Sequence, residues 1–413
     1  MTASVTDPIG QGQLYPQFSL AERDRRWKLV RSLMAKEDLP VIVVPNNTGH
    51  STDFQASARW LSHVGGGGDT EVAVTFPLEG EPSACANRAN TDWSAPVQHW
   101  TTKLYNTRRN TVSGVIEHLR ELKTDRGKVG VVGLGAGTRT PMGTILQGFY
   151  TQMRDAFPNA QFVDATHILE EARYQKSEEE VAALQKSIDI IEKGIEAKVA
   201  AARPGVVDWH IWAAVQSALL MNGSEIPVHC NWVCGPNAKH TRTRATFRKI
   251  EKGDLIINEI EASWIGYRAQ QVQPVFVQEV DPVHAELIKV QGEVYARLLE
   301  ILRPGVTVGE MAEKTKEITA RALPAKGPAA GARGRLNMHG RGQGDDGPLI
   351  TPGQVRPEQL ARPLRENMAF IFKPAVITAD EKYESVWGDT IIITPKGGRR
   401  LGSRPHGHLV SGL

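Results

Sequence analysis

Apolar residues along the chain fall into two rhythms. Trp27, Val30, Leu33 and Met34 recur at helical spacing inside a charged run, which predicts a helix from Leu20 to Lys36. A strand follows from Leu39 to Pro45, and residues 70–77 and 128–134 read as further buried strands. Ser177-Glu178-Glu179-Glu180 has the form of a capping box, with Ser at the cap and Glu three residues on. Val181, Leu184, Ile188, Ile191 and Ile195 then step by three and four, so a second amphipathic helix starts there. Between Gly253 and Gln273 the rhythm shortens. Leu255-Ile256-Ile257 is an apolar run, Ile265-Gly266-Tyr267 marks a turn, and Val272, Val275 and Phe276 carry the return strand, which together predict a β-hairpin.

That hairpin holds the first candidate chemistry. Glu259 and Glu261 stand two residues apart, so on a strand both point to one face. The surrounding segment is too apolar to face water. Two acids there are costly unless a cation, a proton or a ligand offsets them.

Other stretches set the organisation. The first 18 residues read as an arm, and Gly65–Gly68 as a loop, since GGGGDT lacks the Lys-Ser/Thr pair of a phosphate-binding loop. Arg203-Pro204-Gly205-Val206 recurs as Arg303-Pro304-Gly305-Val306, each after a long helix and before another, so a duplicated helix-turn-helix is expected. Residues 322–335 are Gly/Ala/Pro-rich and basic and read as a loop. A chain of 413 residues fits two domains, placed at 1–165 and 170–413.

Composition narrows the partners. A net charge of +3 without a Lys/Arg run argues against nucleic acid, and no apolar run approaches the ~20 residues of a membrane span. No basic segment followed by an apolar core opens the chain, so no secretory signal is read there. Cys85, Cys230 and Cys234 are too few for a disulfide framework and fit a reducing, cytoplasmic setting. Cys230 and Cys234 resemble half of a zinc site in their spacing, but no second pair follows.

Several motifs carry a family resemblance. Gly253-Asp254, Glu259 and Gly266-Tyr267 resemble the first metal-ligand hairpin of the pita-bread-fold enzymes. That family includes methionine aminopeptidase, Xaa-Pro aminopeptidase, prolidase and the metal-free creatinase. His339-Gly340-Arg341-Gly342 resembles its His-Gly-x-Gly, Glu366–Pro374 its Glu-Pro strand, and Glu384–Thr390 its last ligand strand. The run ERDRRWKLVRSLMAKEDLPVIVV and Lys176-Ser177 resemble the N-terminal domain and linker of creatinase and prolidase. The resemblance implies an α/β N-terminal domain plus an α+β pita-bread C-terminal domain. It also implies a homodimer in which one subunit's N-terminal domain lies near the other's site.

The ligand positions depart from the pattern. For the family's Asp-Asp-His-Glu-Glu this chain offers Glu259, Gln270, His339, Lys373 and Gly388, and Asp346 stands where a second His is usual. An ammonium at Lys373 supplies the charge a divalent metal would bring and repels one, so no metal and no cofactor are expected. The family's acid/base His, counted back from the hairpin, falls on Arg242; His240 and His229 are both candidates to replace it. The resemblance then implies a metal-independent, creatinase-like hydrolase. Its expected catalytic residues are His339, Glu259, Glu261 and His240, with Arg341, Lys373, Arg242, Gln270 and Asp346 binding a small carboxylate-bearing substrate in which a C–N or similar bond is cleaved. Lyase chemistry, an inactive ligand- or partner-binding relative, and a residual Xaa-Pro aminopeptidase-like metallopeptidase stand as alternatives.

Overall fold

A computed structural model describes residues 16–46, 56–64, 71–87, 100–226, 230–240, 243–344, 346–350 and 357–412. The chain divides into two compact units: Met1–Ala182 with Gln343–Asp346, and Ala183–Gly342 with Gly347–Leu413. Residues 165–170, expected as the connection, are occupied by a helix of the first unit, and the division comes later, near the start of the long helix.

In the first unit the elements run α1 (Leu20–Ala35), β1 (Val41–Val44), α2 (Ala56–Ser62), β2 (Val72–Pro77), β3 (Ser83–Ala86) and β4 (Lys103–Asn106). They continue with α3 (Thr111–Glu121), β5 (Lys128–Val131), α4 (Gln147–Ala156), β6 (Gln161–Asp164) and α5 (Thr166–Tyr174). The sheet order is β4-β3-β2-β1-β5-β6, with β1 and β2 antiparallel and β1, β5 and β6 parallel. The predicted helix and strands of this region all form, each within a few residues of its expected limits. Ser19 caps α1 through its side chain. Val41, Val43, Val129 and Val131 meet Val115, Leu119, Phe149 and Met153 in one core.

The chain continues with α6 (Glu178–Ala201), whose first residues close the first unit and whose remainder opens the second, and with α7 (Asp208–Met221). The capping box at the head of α6 is present: Glu180 N donates to Ser177 Oγ at 3.1 Å, and Ser177 N to Glu180 Oε2 at 2.7 Å. Next come β7 (Trp232–Gly235), β8 (Leu255–Trp264), β9 (Tyr267–Val272), β10 (Val275–Val277), α8 (Pro282–Ile301) and α9 (Val308–Ala322). The chain ends with β11 (Arg333–Gly340), β12 (Leu349–Ile350), α10 (Pro357–Leu360), β13 (Ala369–Ile377), β14 (Glu384–Val386), β15 (Asp389–Thr394), β16 (Gly397–Arg400) and β17 (Leu409–Ser411). One sheet is ordered β17-β10-β8-β7 with β9 on β8; the other is β12-β11-β13-β15-β16 with β14 on β13. Val272 and Gly388 exchange backbone hydrogen bonds at 2.9 and 3.1 Å, joining the two.

The expected return strand is two strands. Pro274 cannot donate to a ladder, so pairing stops at Val272, and Val275–Val277 moves over to pair with Leu255, Ile256 and β17. The expected loop 322–335 ends early, because Arg333–Arg335 already pair with β13.

The sequence echo is a structural duplication. Gly205 and Gly305 both take positive φ, at 87° and 93°, a conformation open to glycine. Gly205 N donates to Ile250 O at 2.8 Å, and Gly305 N to Leu364 O at 2.9 Å. Ile250 N and Leu364 N return bonds to Val206 O and Val306 O, at 2.9 and 2.7 Å. Each turn leads into the shorter helix of its pair, α7 or α9. No helix of the described residues is long and apolar enough to cross a membrane.

Candidate active site

β8 alternates along its whole length. Leu255, Ile257, Glu259 and Glu261 share one face, so the apolar start of the strand and its acids look the same way. Leu255 and Ile257 pack with Val272, Ala375 and Val386, which gives the acids a low-dielectric neighbour. Both acids are buried. Burial of two carboxylates requires partners, and the neighbouring strands supply them.

Among its partners in the described residues, Glu261 has an amide and two guanidiniums. Gln270, directly opposite on β9, donates Nε2 to its Oε1 at 2.7 Å. The guanidinium of Arg341 donates to the same oxygen, and that of Arg268 to the other. Two fully buried guanidiniums on one carboxylate favour its charged form. Glu261 therefore suits fixing the local field better than moving a proton.

Glu259 is bound differently. The ammonium of Lys373, on β13, donates to its Oε1, and Asn231 Nδ2 donates to its Oε2 at 2.8 Å. His240 Nε2 comes within 3.0 Å of Oε1, an approach too bent for a hydrogen bond but close enough to pair when the ring is protonated. The His240 backbone N donates to Glu384 Oε2 at 2.9 Å, which fixes that end of the loop to β14. Burial pushes the Lys373 ammonium below its usual range, while Glu259 opposes the shift and Arg341 adds to it.

Gln270 links the two halves. Its Nε2 donates to Glu261 while its Oε1 accepts from Lys373 Nζ at 3.1 Å. A carboxylate at this position has no N–H to give Glu261, so the amide is what the pair requires. Thr390 Oγ1 accepts from Gln270 N at 3.0 Å and donates to Gln270 O at 2.8 Å, holding the strand.

Gly388 has a spatial reason. A Cβ there would lie 2.5 Å from Lys373 Cγ and 2.8 Å from Phe372 O. The lysine stem thus fills the room that any side chain at 388 would need. Lys373 and the absence of a side chain at Gly388 are sterically compatible.

The remaining expected residues are placed as follows. His339 lies on β11 opposite Ile371, its Nδ1 3.4 Å from Gly340 O. It shares the strand face of Lys373, two residues along from the direct partner of Lys373. Asp346 belongs to the first unit, where Arg173 and Lys176 hold its carboxylate, the latter at 2.7 Å. The structure therefore gives its carboxylate two cationic partners. Arg242 and His229 lie outside the described residues.

Sequence reasoning missed Arg268 and Asn231. Arg268 was legible, because it stands two residues before Gln270 and so on the same face of the return strand. Asn231 carried no such signal, since its contact with Glu259 depends on the pairing of β7 with β8.

The donor set does not suit a divalent ion. An ammonium sits on Glu259, an amide replaces a carboxylate at 270, and position 388 has no side chain and no room for one. Among the described residues no three His, Cys, Asp or Glu side chains are grouped to hold a metal. Burial pushes the Cys230 thiol up to about 12 and raises Cys234 as well, so neither is poised as a thiolate.

Comparison with known proteins places the chain in a family. A family model described as metallopeptidase family M24 matches residues 182–395. A creatinase from Bacillus sp. (strain B-0618) is 26% identical over 323 residues, covering 75% of this chain and 73% of that protein. A Xaa-Pro dipeptidase from Pyrococcus horikoshii is 23% identical over 274 residues, covering 66% and 73%. The solved structure of a Xaa-Pro dipeptidase from Bacillus anthracis aligns with a TM-score of 0.74 at 17% identity, over 94% of this chain and 99% of that one, which shows the fold. The family points to a hydrolase of the creatinase and prolidase type. The chain belongs to metallopeptidase family M24 and has the pita-bread fold of its creatinase and prolidase members.

Proposed function

We propose that the protein is a metal-independent hydrolase that cleaves a C–N bond in a small carboxylate-bearing compound. The observation that carries this reading is the Lys373–Glu259 pair, with Gly388 leaving room for the lysine stem. In this reading the ammonium is a tethered cation that stabilises negative charge developing on the substrate. Glu259 and His240 form the acid/base pair, with Asn231 and Lys373 orienting the carboxylate. His339 stands on the same strand face as a second proton carrier. Arg341 is the group for a substrate carboxylate, for which a planar guanidinium is suited. Glu261 and Gln270 hold Arg268, Arg341 and Lys373 in place.

A screen of small amides, amidines and N-acyl amino acids in the presence of a chelator tests this. Turnover that survives the chelator and is lost in Glu259→Gln is the expected result. Hydrolysis of proline dipeptides that needs an added divalent metal contradicts it.

A further inference from the structure

We propose that Asn337 and Lys373 together form a donor–acceptor clamp that selects substrates presenting an N–H and a C=O on one edge. Primary amides, carbamoyl groups and cyclic amides have that edge. The inference deepens the hydrolase reading above and rests on it.

Three observations carry it. Asn337, on β11, is the direct partner of Lys373 on β13. Side chains of directly opposed residues in an antiparallel pair share a face, with Cβ atoms about 5 Å apart. His339, two residues along, lies on that face too, so Asn337 belongs to the same wall as the candidate catalytic groups.

The second observation concerns Asn337 itself. Its Oδ1 is shut off from solvent and has no hydrogen-bond partner, although the residue is only partly buried. A buried carbonyl oxygen left unsatisfied costs free energy, and native structures seldom keep one without a purpose. Lys373 opposite and Arg335 two residues back both bring positive charge, which favours the oxygen of the carboxamide over its NH2 on this side.

The third is the ammonium. Lys373 has three N–H donors, of which Glu259 and Gln270 take two. The third has no acceptor among the described residues. An acceptor and a donor on opposed residues match a group that donates and accepts on one edge. An ester or lactone offers only the acceptor half, so it leaves Asn337 Oδ1 unsatisfied.

Matched ligand pairs test the clamp on the full chain. Succinamate is compared with monomethyl succinate, and 5-oxoproline with its lactone analogue, by titration calorimetry or protein-detected NMR. In the second pair the N–H alone is exchanged for oxygen; in the first the NH2 becomes OCH3, so the second pair is the stricter comparison. The expected result is that at least one amide binds about tenfold or more tighter than its oxygen counterpart, as a site built around a substrate donor demands. The preference should vanish in Asn337→Leu, which keeps the volume but loses the acceptor. Should that variant not fold, Asn337→Ser carries the same test, since its hydroxyl stops short. Equal binding within both pairs, absence of binding at tens of millimolar, or a preference that survives the substitution overturns the proposal. Metal-requiring turnover with the preference intact defeats the metal-independent reading instead, so the two failures are distinguishable.

Discussion

At the scale of single residues, the site turns on how charge is buried. Lys373 and Glu259 are both withdrawn from water, and each depends on the other. Removing one partner of such a pair typically costs ~3–5 kcal/mol, against about 0–1 for an exposed pair. Lys373→Met is therefore expected to lower stability by about that amount at pH 8 in urea unfolding. At pH 5 the loss should shrink, because an orphaned Glu259 can take up a proton. Equal stability of variant and wild type at both pH values contradicts the pairing. Gly388→Ala is expected to cost about 1–3 kcal/mol through overpacking against the Lys373 stem and Phe372 O. Part of that cost should be recovered when Lys373 is shortened to Ala, so a double-mutant cycle reads the coupling. Strictly additive effects argue that the two positions are independent.

At the scale of elements, the hairpin β8–β9 is fastened to the second sheet at few points. Thr390 satisfies both the N–H and the C=O of Gln270. Thr390→Val leaves those buried groups without that partner, at about 1–3 kcal/mol for an unsatisfied group. Hydrogen exchange at the Gln270 amide should quicken in the variant, and unchanged protection there contradicts the role given to Thr390. This element level was largely legible in the sequence. The capping box of α6, the apolar stripe behind it and the paired Arg-Pro-Gly-Val turns each have a local physical cause, so local pattern suffices to find them. Lys373 against Glu259 was legible because burying a lone ammonium on an apolar strand is expensive. The partners of Glu261 were not, since strand pairing and tertiary packing decide which guanidinium reaches it. The break at Pro274 is visible as a residue, but the strand order it serves depends on β17, far along the chain. The cationic partners of Asp346 were not legible, because spacing within a motif says nothing about Arg173 and Lys176, which come from a distant segment.

At the scale of the whole molecule, buried titratable groups set the response to pH. Burial, with Lys103 adding, holds the His118 imidazole down to about 4. Burial, with Arg400 adding, holds His406 down to about 4 as well. The unfolded chain binds protons at these sites near 6.5, so both histidines contribute stability that is full above 6.5 and lost as pH falls towards 4. Asp389 works the other way. Burial pushes its carboxyl up to about 6, so the folded state binds the proton first and acidification below 6 is stabilising at this site. Two losses against one gain predict a net fall in melting temperature between pH 7 and pH 4.5. His406→Gln should flatten that slope on the acid side, and an unchanged slope contradicts the assignment. A dimer is the expected assembly, a proposal taken from the family resemblance. Light scattering that returns the chain mass of 45.3 kDa at micromolar concentration contradicts it.

The central claim is that the Lys373 ammonium stands where the family's chemistry would place a metal ion. Elemental analysis of the purified protein, after equilibration with manganese, cobalt and zinc and removal of loose ions, tests it most directly. The predicted result is metal content well below one ion per chain, the same in the wild type and in His339→Ala. One or two tightly held ions per chain, lost in His339→Ala, contradict the claim.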